Sequence, residues 1–209
     1  MGHLSYNEPM TSRGVRGPYA KGEERRRTII GTATDVFATE GFEGAALRRV
    51  AELVGVREAT LFHYFSSKQE LQQAVLAERD ERARELVGDA GFGVDDLPAI
   101  AARNEQQPGL TALYAVASAT ANDTSHASHR YFLERYELLI GDLTRQVREK
   151  QDAGEYRTDV DAGWGARLLI SVFDGLQLQW LYDKSVSMEE GLRQAIALLR
   201  APEAGLRRS

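Results

Sequence analysis

The chain has 209 residues, enough for one large domain or two small ones, with 43% apolar and 27% charged residues, ordinary proportions for a globular protein. It contains no cysteine, which excludes a disulfide framework, cysteine-ligated zinc, iron–sulfur clusters and thiol catalysis together. A net charge of −5 argues against a nucleic-acid partner, yet Met1 to Gln72 carry 10 basic against 9 acidic residues and the remainder 16 against 22.

Residues 1 to about 20 contain Gly, Ser and Pro without periodicity and read as a mobile tail. Between Thr11 and Arg27, six basic residues face two acids. Such a basic arm over residues 1–22 is suited to a phosphate backbone or a minor groove, or stays solvated with no partner. Met10 offers an alternative translation start. The first residues show no apolar h-region, so no signal peptide is expected. The longest apolar stretch, Trp164 to Leu181, is broken by Arg167, Asp174, Gln177 and Gln179, which a membrane span would rarely tolerate. A soluble, cytoplasmic protein is expected.

From Glu23 to Glu40, Ile29, Ile30, Ala33, Val36 and Phe37 form a helical stripe, which Gly41 ends and Phe42 plugs. Leu47, Val50, Ala51 and Val54 mark a second helix, and Gly55 follows where a helix end favours positive φ. The next helix starts at Arg57 and turns Leu61 and Phe65 inward. Glu58, Ala59, Thr60, Phe62, His63 and Tyr64 lie between or before these two anchors. Two short helices around a glycine turn are the helix-turn-helix signature, whose second helix enters a DNA major groove. The first helix should bury its stripe against this pair, giving a three-helix unit over residues 23–72. Ser67 and Glu70 are spaced as a capping box for a fourth helix that reaches about Leu86 and ends in the charged run AERDERARE.

Gly88 to Leu97 is the clearest composition break and reads as the boundary before a second helical part, residues 73–209 being taken as its domain. Helices are expected at about 96–104, 109–122, 125–152, 160–183 and 188–200, the last with a capping box at Ser187 and Glu190. In Trp164 to Leu181, 11 of 18 residues are apolar and cover nearly the whole circumference, so the helix needs cover on two sides. A partner subunit on one flank would supply it, with Gly165 and Gly175 allowing close approach; a buried helix in a monomer is the alternative. His126 and His129 have a spacing a metal could use with Glu134 beyond, but isolated His pairs on exposed helices are commoner, and neither a metal nor a cofactor is expected.

The N-terminal third resembles the TetR family of transcriptional regulators. The resemblance rests on Gly41-Phe42, Leu47 to Ala51, Gly55-Val56, Thr60 to Phe65, Ser67-Lys68 and Leu71, covering about residues 24 to 72; Asp174 to Trp180 adds a weaker match. It implies an all-α homodimer: a three-helix DNA-binding domain followed by a helical ligand-binding and dimerisation domain, pairing through its last two helices. Carried over by position, Arg48, Glu58, Ala59, Thr60 and Phe62 would meet bases or phosphates, and His63, Tyr64 and Lys68 phosphates. Core packing is the alternative for each aromatic, Tyr64 included. The family often has Thr or Ser at Ala46 as a cap, serine at Arg57 and glycine at Ala59; Arg57 exchanges a cap for a charge able to bind phosphate or guanine.

The resemblance also implies a small-molecule pocket, with Leu110, Tyr114, Phe132, Tyr136, Leu139, Leu169 and Phe173 as candidate lining. The same residues would serve as plain core. Three functions compete: a repressor released from a palindromic operator by a small molecule, an enzyme or carrier using the pocket, and a ligand-independent or architectural DNA-binding protein. Catalysis has little support, since no Gly-rich phosphate loop, nucleophile elbow or metal cluster is visible.

Overall fold

The computed structural model describes residues 18–42, 44–87, 93–126 and 128–202, and these are almost entirely helical. The helices are α1 (Pro18–Glu40), α2 (Gly44–Val54), α3 (Glu58–Tyr64), α4 (Lys68–Val87), α5 (Leu97–Glu105), α6 (Pro108–Thr120), α7 (His129–Asp152), α8 (Ala162–Tyr182) and α9 (Met188–Leu199). The all-α expectation is met, and the boundaries fall within a few residues of the sequence reading. The largest difference is α1, which starts at Pro18 rather than Glu23; proline suits a first turn because its missing N–H would have no helical partner there. Residues 1–17 of the expected basic arm, and residues 88–92 of the expected boundary, lie outside the described residues.

Two helix ends follow from glycine. Gly41, at φ 77°, donates to Phe37 O and closes α1. Gly55, at φ 74°, closes α2: its N–H donates to Glu52 O at 3.1 Å while Val56 N–H donates to Ala51 O at 2.9 Å. That pair of bonds satisfies two carbonyls the helix would leave open and sets the angle at which α3 leaves. Ala46, read as a lost cap, instead lies inside α2 and is buried, so its methyl belongs to the core; the residue before α2 lies outside the described residues.

The buried side chains form two clusters. The first joins α1 to α4 through Ile29, Phe37, Val50, Leu61, Phe65 and Leu71, and it also takes in Leu110 and Leu113 of α6 and Phe132 of α7. The second joins α5 to α7, α8 and α9 through Leu97, Leu143, Leu169, Trp180, Met188 and Leu192. Tyr136 packs against both. The helix-turn-helix unit therefore rests on α6 across a shared core. Gly109 marks the tightest point: a Cβ there would stand 1.9 Å from Phe37 O and 2.9 Å from Gly41 N, so only glycine lets the start of α6 meet the end of α1.

α8 and α9 pack antiparallel, and Gly191 provides the close approach, because a Cβ there would meet Leu176 Cδ1 at 2.7 Å. Gly165 faces Val147 and Leu199 of the same chain, whereas Gly175 opens on no neighbour. α9 starts with a double cap. Ser187 Oγ accepts from Glu190 N at 3.1 Å, and Glu105, the last residue of α5, accepts from Met188 N at 2.6 Å. The Ser67 cap also forms, with Oγ accepting from Glu70 N. The Glu70 carboxylate turns to Ser66 N and Oγ instead of completing a box with Ser67, and those bonds hold it below the usual carboxylate range.

Candidate nucleic-acid interface and interior cavity

α3 has only seven residues, too few to stand alone in water, so its orientation is imposed by what it buries. Leu61 and Phe65 are fully enclosed, and Arg26 of α1 covers the Phe65 ring at 4.7 Å. Glu58, Ala59, Phe62 and His63 consequently project outward, with Thr60 half-buried beside them. Phe62 leaves 42% of its surface exposed, unusual for a phenylalanine with a core beside it. Arg57 occupies the N-cap with extended backbone and no side-chain cap bond, so its guanidinium is exposed at the helix start. Arg57 adds a positive charge at this end of the helix, beside the acidic Glu58 of its first turn.

The remaining predicted contact residues flank this face. Arg48 is exposed on α2. Lys68, at the first turn of α4, places its Nζ 4.5 Å above the Phe42 ring, and Phe42 is held edge-on by Phe37. Tyr64 is half-buried and packs against the first core cluster, which favours packing over the phosphate side of its two readings.

The second feature is a partly open cavity of about 230 Å³ lined by α4, α5, α7 and α8. Of the seven residues anticipated for a pocket, Leu139 and Phe173 line it. Leu110 and Phe132 lie in the first core cluster and Leu169 in the second. Tyr114 and Tyr136 stand behind the wall, in a polar cluster whose Arg79, Asp80, Arg135 and Asp174 do line it.

That cluster was not anticipated. Asp80 of α4 accepts from Arg135 Nε at 2.7 Å and from Tyr131 OH at 2.9 Å. Arg135 also donates to Tyr114 OH at 3.1 Å, and Tyr136 OH donates to Asp174 at 2.7 Å. Arg79 and Arg135 lie on the Tyr114 ring at 5.0 and 4.9 Å. Burial pushes the Asp80 carboxyl up, but the Arg135 guanidinium, with the Arg79 charge and the Tyr131 bond, more than offsets it and Asp80 stays below its ordinary value. Asp174 goes the other way: burial raises it, and the bonds from the tyrosines with the nearby arginine charges offset this only in part. Burial also pulls the Arg79 guanidinium below its ordinary value, since Asp80, 3.8 Å away, compensates incompletely.

A signal for this cluster existed. Leu71, Val75, Arg79 and Ala83 continue one buried helical stripe, so Arg79 sits where the pattern demands an inward residue. The polar stripe of α8 divides likewise: Arg167 and Ser171 are exposed, while Asp174 and Gln177 turn into the cluster, Gln177 accepting from Arg79 at 3.2 Å. Trp164, Leu168, Leu178 and Tyr182 then form an exposed apolar ridge along α8, beside Leu198 of α9. His126 and His129 serve the loop before α7, where His126 Nδ1 accepts from Ser128 N and His129 Nδ1 contacts Ala121 O. No cluster of three metal-ligating side chains occurs among the described residues. No helix there is long and apolar enough to cross a membrane.

The chain matches the family model for bacterial regulatory proteins of the tetR family over residues 29–75. It is 28% identical over 151 residues to the HTH-type transcriptional repressor AcnR of Corynebacterium diphtheriae, covering 72% of this chain and 78% of that one. It is 25% identical over 179 residues to the HTH-type transcriptional regulator UidR of Escherichia coli, covering 82% and 90%. Among solved structures, a transcriptional regulator from Saccharomonospora viridis in complex with choline superimposes with a TM-score of 0.65 at 19% identity, over 86% of this chain and 100% of that one. A TetR regulator from Chloroflexus aurantiacus gives 0.65 at 21%, over 87% and 99%.

Proposed function

This chain belongs to the TetR family of bacterial regulatory proteins, and from that premise we propose that it is a transcriptional repressor, released from a palindromic operator when a small molecule enters the cavity. The observation that carries this reading is the division of α3: its inner residues are fully buried, and its outer face offers Phe62, Glu58, Ala59 and His63 to a partner. Arg48, Arg57, Thr60 and Phe62 are proposed to select bases, with Phe62 against a thymine methyl. His63 and Lys68 are proposed to fix register on phosphates, and Tyr64 to hold α3 on the core.

Pairing of two chains through the α8–α9 ridge would cover Trp164, Leu168, Leu178 and Tyr182 and set two α3 helices about one DNA turn apart. α4 connects the two ends: Lys68 follows the recognition helix directly, and Arg79, Asp80 and Ala83 form cavity wall. An occupant that shifts α4 favours a state whose α3 helices no longer match the half-site spacing. The choline complex of the Saccharomonospora regulator supports a small molecule as the trigger. The reading places the protein in the cytoplasm and gives it no catalytic step.

Selection of bound DNA from a random pool tests it. The expected outcome is an inverted repeat with half-sites about ten base pairs apart, or a multiple of that. Enrichment of no motif, with affinity indifferent to sequence, refutes sequence-specific binding.

A further inference from the structure

We infer that the cavity takes a small acid, a single carboxylate on an apolar body, and that Arg79 and Asn104 hold the carboxylate. This deepens the effector reading and rests on it. Two donors carried by residues of the cavity lining, Arg79 Nε and Asn104 Nδ2, are buried and have no hydrogen-bond partner among the described residues. Their side chains are 8% and 4% exposed. A buried donor left unpaired is expensive, and native structures rarely keep one without a use for it.

The two aspartates of the buried cluster are already engaged as acceptors. Asp80 takes three bonds, two from Arg135 and one from Tyr131. Asp174 accepts from Tyr136, Tyr114 and Gln177. An occupant expels any water these groups use, so it must bring acceptors for the two free donors and needs few donors of its own. The charge balance agrees: four arginines and three aspartates line the cavity, one positive charge in excess. Burial already disfavours the Arg79 cation, and guanidinium cannot relieve that strain by losing its proton, so an incoming anion is the available compensation.

The rest of the wall is apolar, with Leu97, Ile100, Leu138, Leu139, Ile170 and Phe173. At about 230 Å³ the space lies just under the ~300–1,000 Å³ usual for drug-sized ligands, which limits the body to a short chain or one ring. A quaternary ammonium is a poor fit. It needs open aromatic faces, but Phe173 is the one aromatic on the lining, and both guanidiniums already occupy the Tyr114 ring.

Calorimetric titration of the full chain with two matched series tests the inference: hexanoate, hexanamide and hexylammonium, then phenylacetate, phenylacetamide and phenethylammonium. In at least one series the carboxylate should bind roughly ten- to hundred-fold tighter than its amide, with the ammonium weakest. Asn104→Asp, which replaces the free donor with a carboxylate of the same shape, should abolish or reverse that order. Arg79→Met should abolish it too, with circular dichroism confirming that each variant is folded. Equal binding of acid and amide, preference for the ammonium, no binding in either series, or an unchanged order in Asn104→Asp would overturn the inference. DNA binding measured on the same preparation separates the two readings. A chain that binds its operator but prefers no carboxylate loses only the ligand class. A carboxylate that binds without releasing DNA upholds the site and counts against the release mechanism.

Discussion

Asp80→Ala probes the joint between the DNA-binding helices and the rest of the chain. The Asp80 carboxylate, 13% exposed, is gripped by Arg135 at 2.7 and 3.3 Å and by Tyr131 at 2.9 Å. Removing it leaves Arg135, 18% exposed, and Arg79, 8% exposed, as two buried cations packed on one tyrosine ring. Breaking one side of a buried pair costs about 3–5 kcal/mol, because the surviving charge is uncompensated. For a chain of this size that is a fall in melting temperature of roughly 6–20 °C. The assay is thermal or urea unfolding at fixed protein concentration, since an oligomer's stability depends on it. Adding Arg135→Met should recover much of the loss, as replacement of a whole buried pair by apolar side chains is often near neutral. Little change at high salt is also expected, because buried pairs are weakly screened. A loss below about 1 kcal/mol, or a double mutant as unstable as the sum of the singles, would refute the reasoning.

Three further outcomes are expected. Lys68→Ala should weaken binding to every DNA sequence alike and lower the salt slope by about one unit in filter-binding or anisotropy titrations; affinity unchanged at several salt concentrations would remove Lys68 from the phosphate contacts. Gly109→Ala should destabilise by about 1–3 kcal/mol in urea melts, because the added methyl would collide with the Phe37 carbonyl, whereas equal or greater stability would show that α6 slides off α1 at little expense. Tyr182→Glu combined with Trp164→Glu should leave the fold intact and weaken self-association by about thirty-fold or more in sedimentation, since both side chains are exposed on α8, at 91% and 71%; an unchanged dimer would place the interface elsewhere.

The helix-turn-helix was legible because its determinants are local. Gly55 closes α2 through bonds to Ala51 and Glu52, and Leu61 and Phe65 alone decide which way α3 faces. The outward set, Glu58, Ala59, Phe62 and His63, is then what remains of a seven-residue helix once Leu61 is buried and Thr60 and Tyr64 are half-buried. The long helices were legible for the same reason, since periodicity and caps such as Ser187 depend on neighbours a turn away.

The cavity was only half legible, and the physical reason is distance along the chain. Leu139 and Phe173 carry an apolar signature that periodicity detects. Asp80 and Arg135 are separated by 55 positions, and each alone looks like a charge on a solvated helix face. Only their meeting, with Tyr131 and Tyr114 around them, makes burial affordable. Asp174 and Gln177 resembled part of an exposed polar stripe until the packing of α8 turned them inward against Arg79. Local sequence thus determined which segments are helices and which face of α3 is free. The tertiary structure decided which charges are inside, and with them which donors, Arg79 Nε and Asn104 Nδ2, are left for something else to satisfy.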